Sequence, residues 1–362
     1  MKKNLIFFLG TKAQFIKTIP IINAASDNKY NVYLYDTCQH RSITEKEINK
    51  TSAKITHIFT SNNYLSASSI FQLIVWFLKS LLSIFKKRFK FKDKENSICI
   101  IHGNTLSTIL GLVWAKKNKI EILHIEGGYR SFNWFKPFPE EIIRYITSKF
   151  SDYVVCFDSD SFLNLSNMNI KGNIIQVSRN TIYDQKYLTE PLSKKESKLT
   201  ISIHRNENIF NRKRLANTVD FLIEIKKNYF ESANWFMHSQ TKKNLERYNH
   251  IKTLNDAGIF TSELIDHETF IKEIKTSKCV VTDGESILEE CKIIGTPTYA
   301  LLNKLENKKS EGQNILVSEY KHQENKLFFD NLEKYALNID DEDKVSPSNE
   351  IIKHIDKIFK DN

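Results

Sequence analysis

Short apolar runs alternate with stretches of helical spacing along most of this 362-residue chain. Runs at 5–9, 31–35, 97–101, 121–124, 153–156 and 173–176 read as strands, and between them 105–116 and 140–149 carry helical spacing. A second series follows, with strands expected at 199–203, 235–238, 258–261, 279–282 and 298–302 and helices at 215–228 and 286–294. Strands alternating with helices in this way build βαβ units around a parallel sheet. The polar stretch 183–198 parts the two series and reads as a linker. The expected organisation is an N-terminal Rossmann-like domain over 1–182, a hinge over 183–198, a C-terminal Rossmann-like nucleotide-binding domain over 199–345 and a last, amphipathic helix within 346–362. In each half, ligands are expected beyond the carboxyl ends of the strands.

One segment breaks the alternation. Residues 70–85 are apolar except for Gln72, Lys79, Ser80 and Ser83, and Lys86-Lys87-Arg88 follows directly. The run is too short and too interrupted for a spanning helix, which needs about 20 apolar residues. Two readings stand side by side. The plainer one is a helix covering a sheet; the other is a basic amphipathic helix, over 70–88, resting on an anionic membrane.

Composition narrows the class. Hydrophobic residues make up 41% and charged residues 27% of the chain, the balance of a folded globular protein long enough for two domains. Five scattered cysteines, Cys38, Cys99, Cys156, Cys279 and Cys291, show no short spacing and read as buried thiols in a cytoplasmic protein. The apolar start resembles a secretion signal, but it falls short of the ~7–15 residues such a signal needs, so a first buried strand is expected. Net charge is +10 and the pI about 9.1. The basic residues are not gathered into a nucleic-acid motif, which leaves an anionic small substrate, a membrane surface or a merely solvated lysine surface as readings of the charge.

The polar residues at expected strand ends carry the candidate chemistry. Gly10-Thr11-Lys12-Ala13-Gln14-Phe15-Ile16-Lys17 follows the first strand, where backbone amides and two lysines suit an anion and a plain strand–helix turn suits the residues equally well. His102-Gly103-Asn104-Thr105 closes the third strand, with Thr105 as a helix cap. His124-Ile125-Glu126-Gly127-Gly128-Tyr129-Arg130 closes the fourth, and Pro139-Glu140-Glu141 with Arg144 opens the next helix. Two carboxylates beside arginines are what proton transfer at a sugar carbon requires. Glu140 has a second reading, compensation of the helix dipole. In the second half, His204-Arg205 leaves a strand, where the pair suits a diphosphate or proton exchange near neutral pH and a structural histidine suits the position equally well. Asp283-Gly284-Glu285-Ser286 enters a helix whose amides suit a phosphate, and Glu290 lies further along it. His238, at another strand end, reads mainly as part of a packed polar loop.

In this order and spacing the clusters resemble the UDP-N-acetylglucosamine 2-epimerase family, together with Cys38-Gln39-His40-Arg41 and Asn180-Thr181-Ile182-Tyr183-Asp184. The resemblance implies the glycosyltransferase-B architecture, two Rossmann-like domains facing a cleft that takes the sugar nucleotide. It implies C2 epimerisation of a UDP-N-acetylhexosamine for surface polysaccharide synthesis, by elimination of UDP and its re-addition. Glu126 and Glu140 would move the proton, with Asn104 and His204 in the catalytic set. Lys12, Lys17, His102, Arg130, Arg144, Arg205, His238, Gly284, Glu285, Ser286 and Glu290 would bind substrate, Glu290 at the ribose. No cofactor and no metal are implied, and a homodimer is.

The chain departs from the family pattern at several of these places. Asn104 stands where the family has a catalytic aspartate, and an amide cannot act as a base. Lys12 replaces an arginine, Gln14 a glutamate, Gly284-Glu285-Ser286 a Ser-Gly-Gly turn, and Asn307 an arginine. Two other functions therefore stay open: a glycosyltransferase on the same architecture with a lipid-linked or saccharide acceptor, and a sensor of nucleotide sugars. Ile125-Glu126-Gly127-Gly128 also resembles the branch that hydrolyses its product.

Overall fold

Every strand pair is parallel in the computed structural model, which describes residues 3–37, 45, 48–49, 51–60, 70–85, 91, 93–134, 139–189, 194–305, 312–322, 325–337 and 345–361. The chain divides into two units, Met1–Gln185 with Asp343–Asn362, and Lys186–Glu342. The first holds strands β1 (Asn4–Leu9), β2 (Asn31–Asp36), β3 (Ile55–Phe59), β4 (Ser97–His102), β5 (Glu121–Ile125), β6 (Tyr153–Cys156) and β7 (Asn173–Gln176), in the spatial order β3-β2-β1-β4-β5-β6-β7. The second holds β8 (Glu196–Ser202), β9 (Ser232–Met237), β10 (Ile259–Glu263), β11 (Ser277–Thr282), β12 (Thr298–Ala300) and β13 (Ile315–Val317), in the order β10-β9-β8-β11-β12-β13. These are the two doubly wound α/β sheets that the alternating pattern predicts.

Two strands escape the sequence reading, β3 and β13. Each is the last strand at one edge of its sheet, and neither has a fully buried residue. An edge strand with polar and half-exposed positions lacks the continuous apolar run by which β1 or β4 announces itself. The observed helices Leu106–Asn118, Glu140–Phe150, Arg212–Tyr229, Glu285–Ile294 and Pro347–Asp361 agree with the expected spans to within a few residues.

Hydrophobic layers cover both faces of the first sheet. On one face Leu5, Phe7, Leu9, Ile98 and Ile100 pack with the helix Lys12–Asp27 and with Ile351, Ile352, Ile355 and Ile358 of the helix Pro347–Asp361. Four isoleucines at this helical spacing, each contributing about 1.5–3 kcal/mol by burial, dock the end of the chain on the first unit. On the other face Phe8, Cys99 and Ile101 pack with Trp76 and Trp114. The described cysteines, Cys99, Cys156, Cys279 and Cys291, are free and buried; Cys38, with the motif Cys38-Gln39-His40-Arg41, lies outside the described residues, as do Asn307 and Lys86-Lys87-Arg88.

The apolar segment forms the helix Ile70–Ile84. Its inner face covers the sheet: Trp76 is buried and its Nε1 donates to the Thr37 carbonyl at 3.2 Å, and Ser83 Oγ donates to the Thr60 carbonyl at 3.0 Å. Its outer face stays apolar, with Ile74 51%, Leu78 51%, Leu82 70% and Phe85 58% exposed. Among the described residues no helix is long and apolar enough to cross a membrane.

Candidate functional site

In the first unit β1, β4 and β5 are neighbours, so their carboxyl ends bring three of the polar motifs together. Gln14 ties them. Its Oε1 accepts from the amides of Gly10 (2.9 Å) and Thr11 (3.1 Å), and its Nε2 donates to the His102 carbonyl (2.8 Å) and Thr108 Oγ1 (3.2 Å). A glutamate at this position could accept but not donate, so the amide suits the carbonyl it faces. Gly10 is required here: a Cβ would lie 1.9 Å from Thr37 Oγ1.

Glu126 follows β5 with φ +67°, a left-handed backbone rare for a side chain with a Cβ. The two glycines after it allow the turn: a Cβ at Gly127 would lie 2.2 Å from Val154, and Gly128 has φ +88°. The Glu126 carboxylate is clamped on three sides. Lys17 Nζ lies 2.6 Å and Asn180 Nδ2 3.1 Å from Oε1, and His102 Nδ1 lies 3.6 Å from Oε2. Burial pushes the His102 imidazole down to about 4, against the opposing pull of Glu126. His124 is likewise pushed down to about 4 by burial. Its Nε2 lies 2.9 Å from the Gly103 carbonyl, which only accepts, so the neutral ring carries its proton there and Nδ1 faces Ser148 Oγ at 3.4 Å. Both rings are therefore neutral near pH 7.

A second cluster surrounds the helix Glu140–Phe150. Glu141, fully buried, accepts from Arg130 Nε at 2.6 Å and from the Ser131 amide at 3.0 Å, with Arg144 Nη1 at 3.6 Å. Burial alone would raise its pKa, but the Ser131 amide and Arg130 outweigh that and hold it below the ordinary carboxylate range. Arg130 is also enclosed by the rings of Phe132, Trp134 and Tyr145, 5.2–5.5 Å from its guanidinium carbon. Glu140 differs sharply from its neighbour. It begins the helix, and its Oε2 is buried with no hydrogen-bond partner among the described residues. With its amide oxygen turned toward Arg144, Asn104 accepts from Nε at 2.9 Å and Nη2 at 3.0 Å.

In the second unit β8 and β11 are neighbours, and their ends join His204-Arg205 to Asp283-Gly284-Glu285. The centre is Asp283, which the sequence reading names in its motif without giving it a role. Fully buried, it accepts from the His204 amide (2.9 and 3.1 Å), the Arg205 amide (2.9 Å) and Asn208 Nδ2 (2.8 Å), with His204 Nδ1 at 3.2 Å. Burial opposes its ionisation, yet the hydrogen bond and charge of His204, with Asn208 and the Arg205 amide, hold its pKa below the usual range. The ring of His238 lies 4.6 Å from that of His204. Arg205 lies 3.9 Å from Glu285, the first residue of the helix Glu285–Ile294, with Ser286 exposed beside it. Gly284 lets the turn pass close to His204, whose Cε1 would lie 3.0 Å from a Cβ there. Glu290 sits apart from these, buried and 2.6 Å from His267 Nε2.

Most expected residues are thus gathered within their own unit: Lys17, His102 and Glu126; Asn104, Arg130 and Arg144; His204, Arg205, His238, Gly284 and Glu285. Lys12 opens the helix Lys12–Asp27, half-buried. The sequence reading missed four anchors: Glu141, Asn180, His267 and Asp283. Glu141, Asn180 and Asp283 lie inside motifs that the sequence does display, and only His267 has none.

Comparison with known proteins agrees with this fold. The family model described as UDP-N-acetylglucosamine 2-epimerase matches residues 23–337. A UDP-N-acetylglucosamine 2-epimerase of Methanocaldococcus jannaschii is 28% identical, over 89% of each chain. The crystal structure of the Methanocaldococcus jannaschii UDP-GlcNAc 2-epimerase in complex with UDP-GlcNAc and UDP is similar with a TM-score of 0.72 at 23% identity, covering 99% of this chain and 100% of that one. A structure of Staphylococcus aureus MnaA with UDP has a TM-score of 0.78 at 20% identity, covering 99% of this chain and 97% of that one.

Proposed function

We infer the chemistry of this chain from one premise: it belongs to the UDP-N-acetylglucosamine 2-epimerase family. Its function is that of an isomerase of this type, reversing C2 of a UDP-N-acetylhexosamine. The C2 proton leaves, the C1–O bond breaks with its electron pair going to UDP, and 2-acetamidoglucal forms. UDP and a proton then add back with the configuration at C2 reversed.

The observation that carries the assignment of roles is the contrast between Glu126 and Glu140. Glu126 is fixed by Lys17, Asn180 and His102, while Glu140 keeps a buried oxygen without a partner among the described residues. A held carboxylate and one with spare acceptor capacity are suited to take up and return a proton at one carbon. We assign Lys17 to positioning Glu126, and Arg130 to holding Glu141, rather than either to the diphosphate. His204 and Arg205, with Lys12, His238, Gly284, Glu285 and Ser286, are assigned to the diphosphate, and Glu290 to the ribose. Arg144 is assigned to the sugar end with Asn104.

Incubation with UDP-N-acetylglucosamine in deuterium oxide tests the reading by proton NMR at C2. Deuterium at C2 with a manno product is expected; free N-acetylmannosamine would place the chain in the hydrolysing branch. Binding without exchange would overturn the assignment in favour of sugar transfer. Asn104→Asp, in the same assay, is expected to raise turnover. The amide holds Arg144 in place as an acceptor, but only a carboxylate there pairs with the guanidinium as a charge and offers a base. Unchanged turnover would sink this account of position 104.

We also propose that the stripe Ile74, Leu78, Leu82 and Phe85 rests on an anionic lipid surface. The four lie about one turn apart on the helix Ile70–Ile84 and at its end, with exposed Lys79 among them and Lys117 Nζ 4.8 Å from the Phe85 ring. Lys86-Lys87-Arg88 follows in the sequence. An apolar stripe flanked by cations is the composition of an interfacial helix. The protein is expected to float with vesicles containing phosphatidylserine but not with phosphatidylcholine alone, and Leu82→Glu should abolish flotation. If flotation fails while Leu82→Glu converts a dimer into a monomer, the stripe is a subunit interface and the lipid proposal falls.

A further inference from the structure

Glu290 belongs to a chain of three side chains of which the other two, His267 and Tyr187, have no role in the reaction scheme. Its Oε1 lies 2.6 Å from His267 Nε2, and Nδ1 of the same ring lies 2.9 Å from the Tyr187 hydroxyl. The three come from separate elements: Tyr187 from the short helix Lys186–Thr189 that begins the second unit, His267 from the start of the helix His267–Thr276, and Glu290 from the helix Glu285–Ile294. His267 and Glu290 are both more than nine-tenths buried. The Tyr187 ring meets the imidazole edge-on, with centroids 5.6 Å apart and planes at 79°.

The donors and acceptors close in one way for a neutral imidazole and an ionised carboxylate. The carboxylate only accepts, so Nε2 carries the proton toward Glu290. Nδ1 is then an acceptor, and the Tyr187 hydroxyl donates to it. A protonated ring would donate at both nitrogens, so in either state Glu290 Oε1 accepts from Nε2. The contact is as short as charge-assisted hydrogen bonds are. A carboxylate accepts at about four lone-pair positions, so this bond leaves capacity for two hydroxyls.

We propose that His267, oriented by Tyr187, is a positioning residue that aims the Glu290 carboxylate at the ribose hydroxyls of the UDP-sugar. The inference rests on the assignment of Glu290 to the ribose. A glutamate side chain free to rotate would lose conformational freedom on meeting the diol; one already held by an imidazole in a closed network does not. A purely structural role would weaken the fold without distinguishing nucleotides that possess the hydroxyls from those that lack them.

Calorimetric titration of the full chain with UDP and with 2′,3′-dideoxy-UDP separates the two roles. Glu290→Ala is expected to remove most of the preference for UDP over the dideoxy nucleotide. His267→Phe should weaken UDP binding about tenfold, the order expected for losing a charge-assisted hydrogen bond, and leave dideoxy-UDP binding unchanged. His267→Gln, which keeps an N–H donor, should recover most of the loss, and Tyr187→Phe should lower the preference about two- to threefold. If Glu290→Ala retains the preference, the ribose assignment fails. If Glu290→Ala loses it while a folded His267→Phe keeps it, the positioning role alone is overturned. Should His267→Phe not fold, Tyr187→Phe decides: an unchanged preference overturns the proposal.

Discussion

Replacing Glu126 by glutamine is expected to slow deuterium incorporation at C2 by about 10²- to 10⁴-fold, the range a positioned general acid or base contributes. Affinity for UDP should stay within about threefold of wild type, because the residues assigned to the diphosphate and ribose are untouched. Glutamine keeps the size of the side chain and an acceptor for Lys17 and Asn180, so the turn at the end of β5 should persist. What it loses is the ability to take a proton. The left-handed backbone at Glu126 points the same way. A strained residue costs of order 1–3 kcal/mol and persists where its surroundings impose it, here two glycines and a lysine 2.6 Å away. A fall in exchange of less than tenfold would mean that Glu126 anchors Lys17 and nothing more, and the proton would then have to pass through Glu140. Lys17→Met distinguishes these cases further. If Lys17 positions the carboxylate, its loss lowers turnover without a matching loss in UDP affinity.

Much of this site was legible in the sequence, because its polar residues follow apolar runs buried on both faces. β1, β4 and β5 are buried along nearly their whole length around apolar centres, and the motifs that follow them sit where a parallel sheet presents its carboxyl ends. The strands that escaped, β3 and β13, are edge strands whose half-exposed residues give no such run. The anchors escaped for another reason. Glu140 and Glu141 are adjacent in the chain, and nothing local says which of them meets Arg130; the fold decides it by bringing that arginine back onto the helix start. Glu290 could be placed one turn into its helix, but its partner His267 lies on a different helix and has no motif of its own. For the helix Ile70–Ile84 the two readings each describe one face, since Trp76 and Ser83 cover the sheet while Leu78 and Leu82 point away from it.

The largest effect on stability is expected at Asp283. Its two oxygens are surrounded by donors: Oδ1 by the His204 amide, with the ring Nδ1 of His204 3.2 Å away, and Oδ2 by the His204 and Arg205 amides and Asn208 Nδ2. Asp283→Ala leaves these donors without their acceptor inside the fold and should destabilise the second unit by about 3–5 kcal/mol. Asp283→Asn is not a mild substitution here. One oxygen becomes an NH₂ group facing other donors, so a loss of about 2 kcal/mol or more is expected even though the shape is kept. Hydrogen exchange at the amides of β8 and β11 reports the effect within that unit, independent of how the first unit unfolds. The pH dependence follows from the same contacts. Because the folded-state pKa of Asp283 is held below the ordinary carboxylate value, its contribution is fully present above about pH 4. It declines as the pH falls through its own lowered value, when the carboxyl takes up a proton and ceases to accept at both oxygens. Protection of β8 and β11 in the wild type should therefore decline in acid, while Asp283→Ala should already be weak at pH 7 and lose less over the same interval. Equal protection of wild type and Asp283→Asn at pH 7 would show that shape alone holds His204 and Arg205 in place. The diphosphate residues would then owe nothing to the buried charge beneath them.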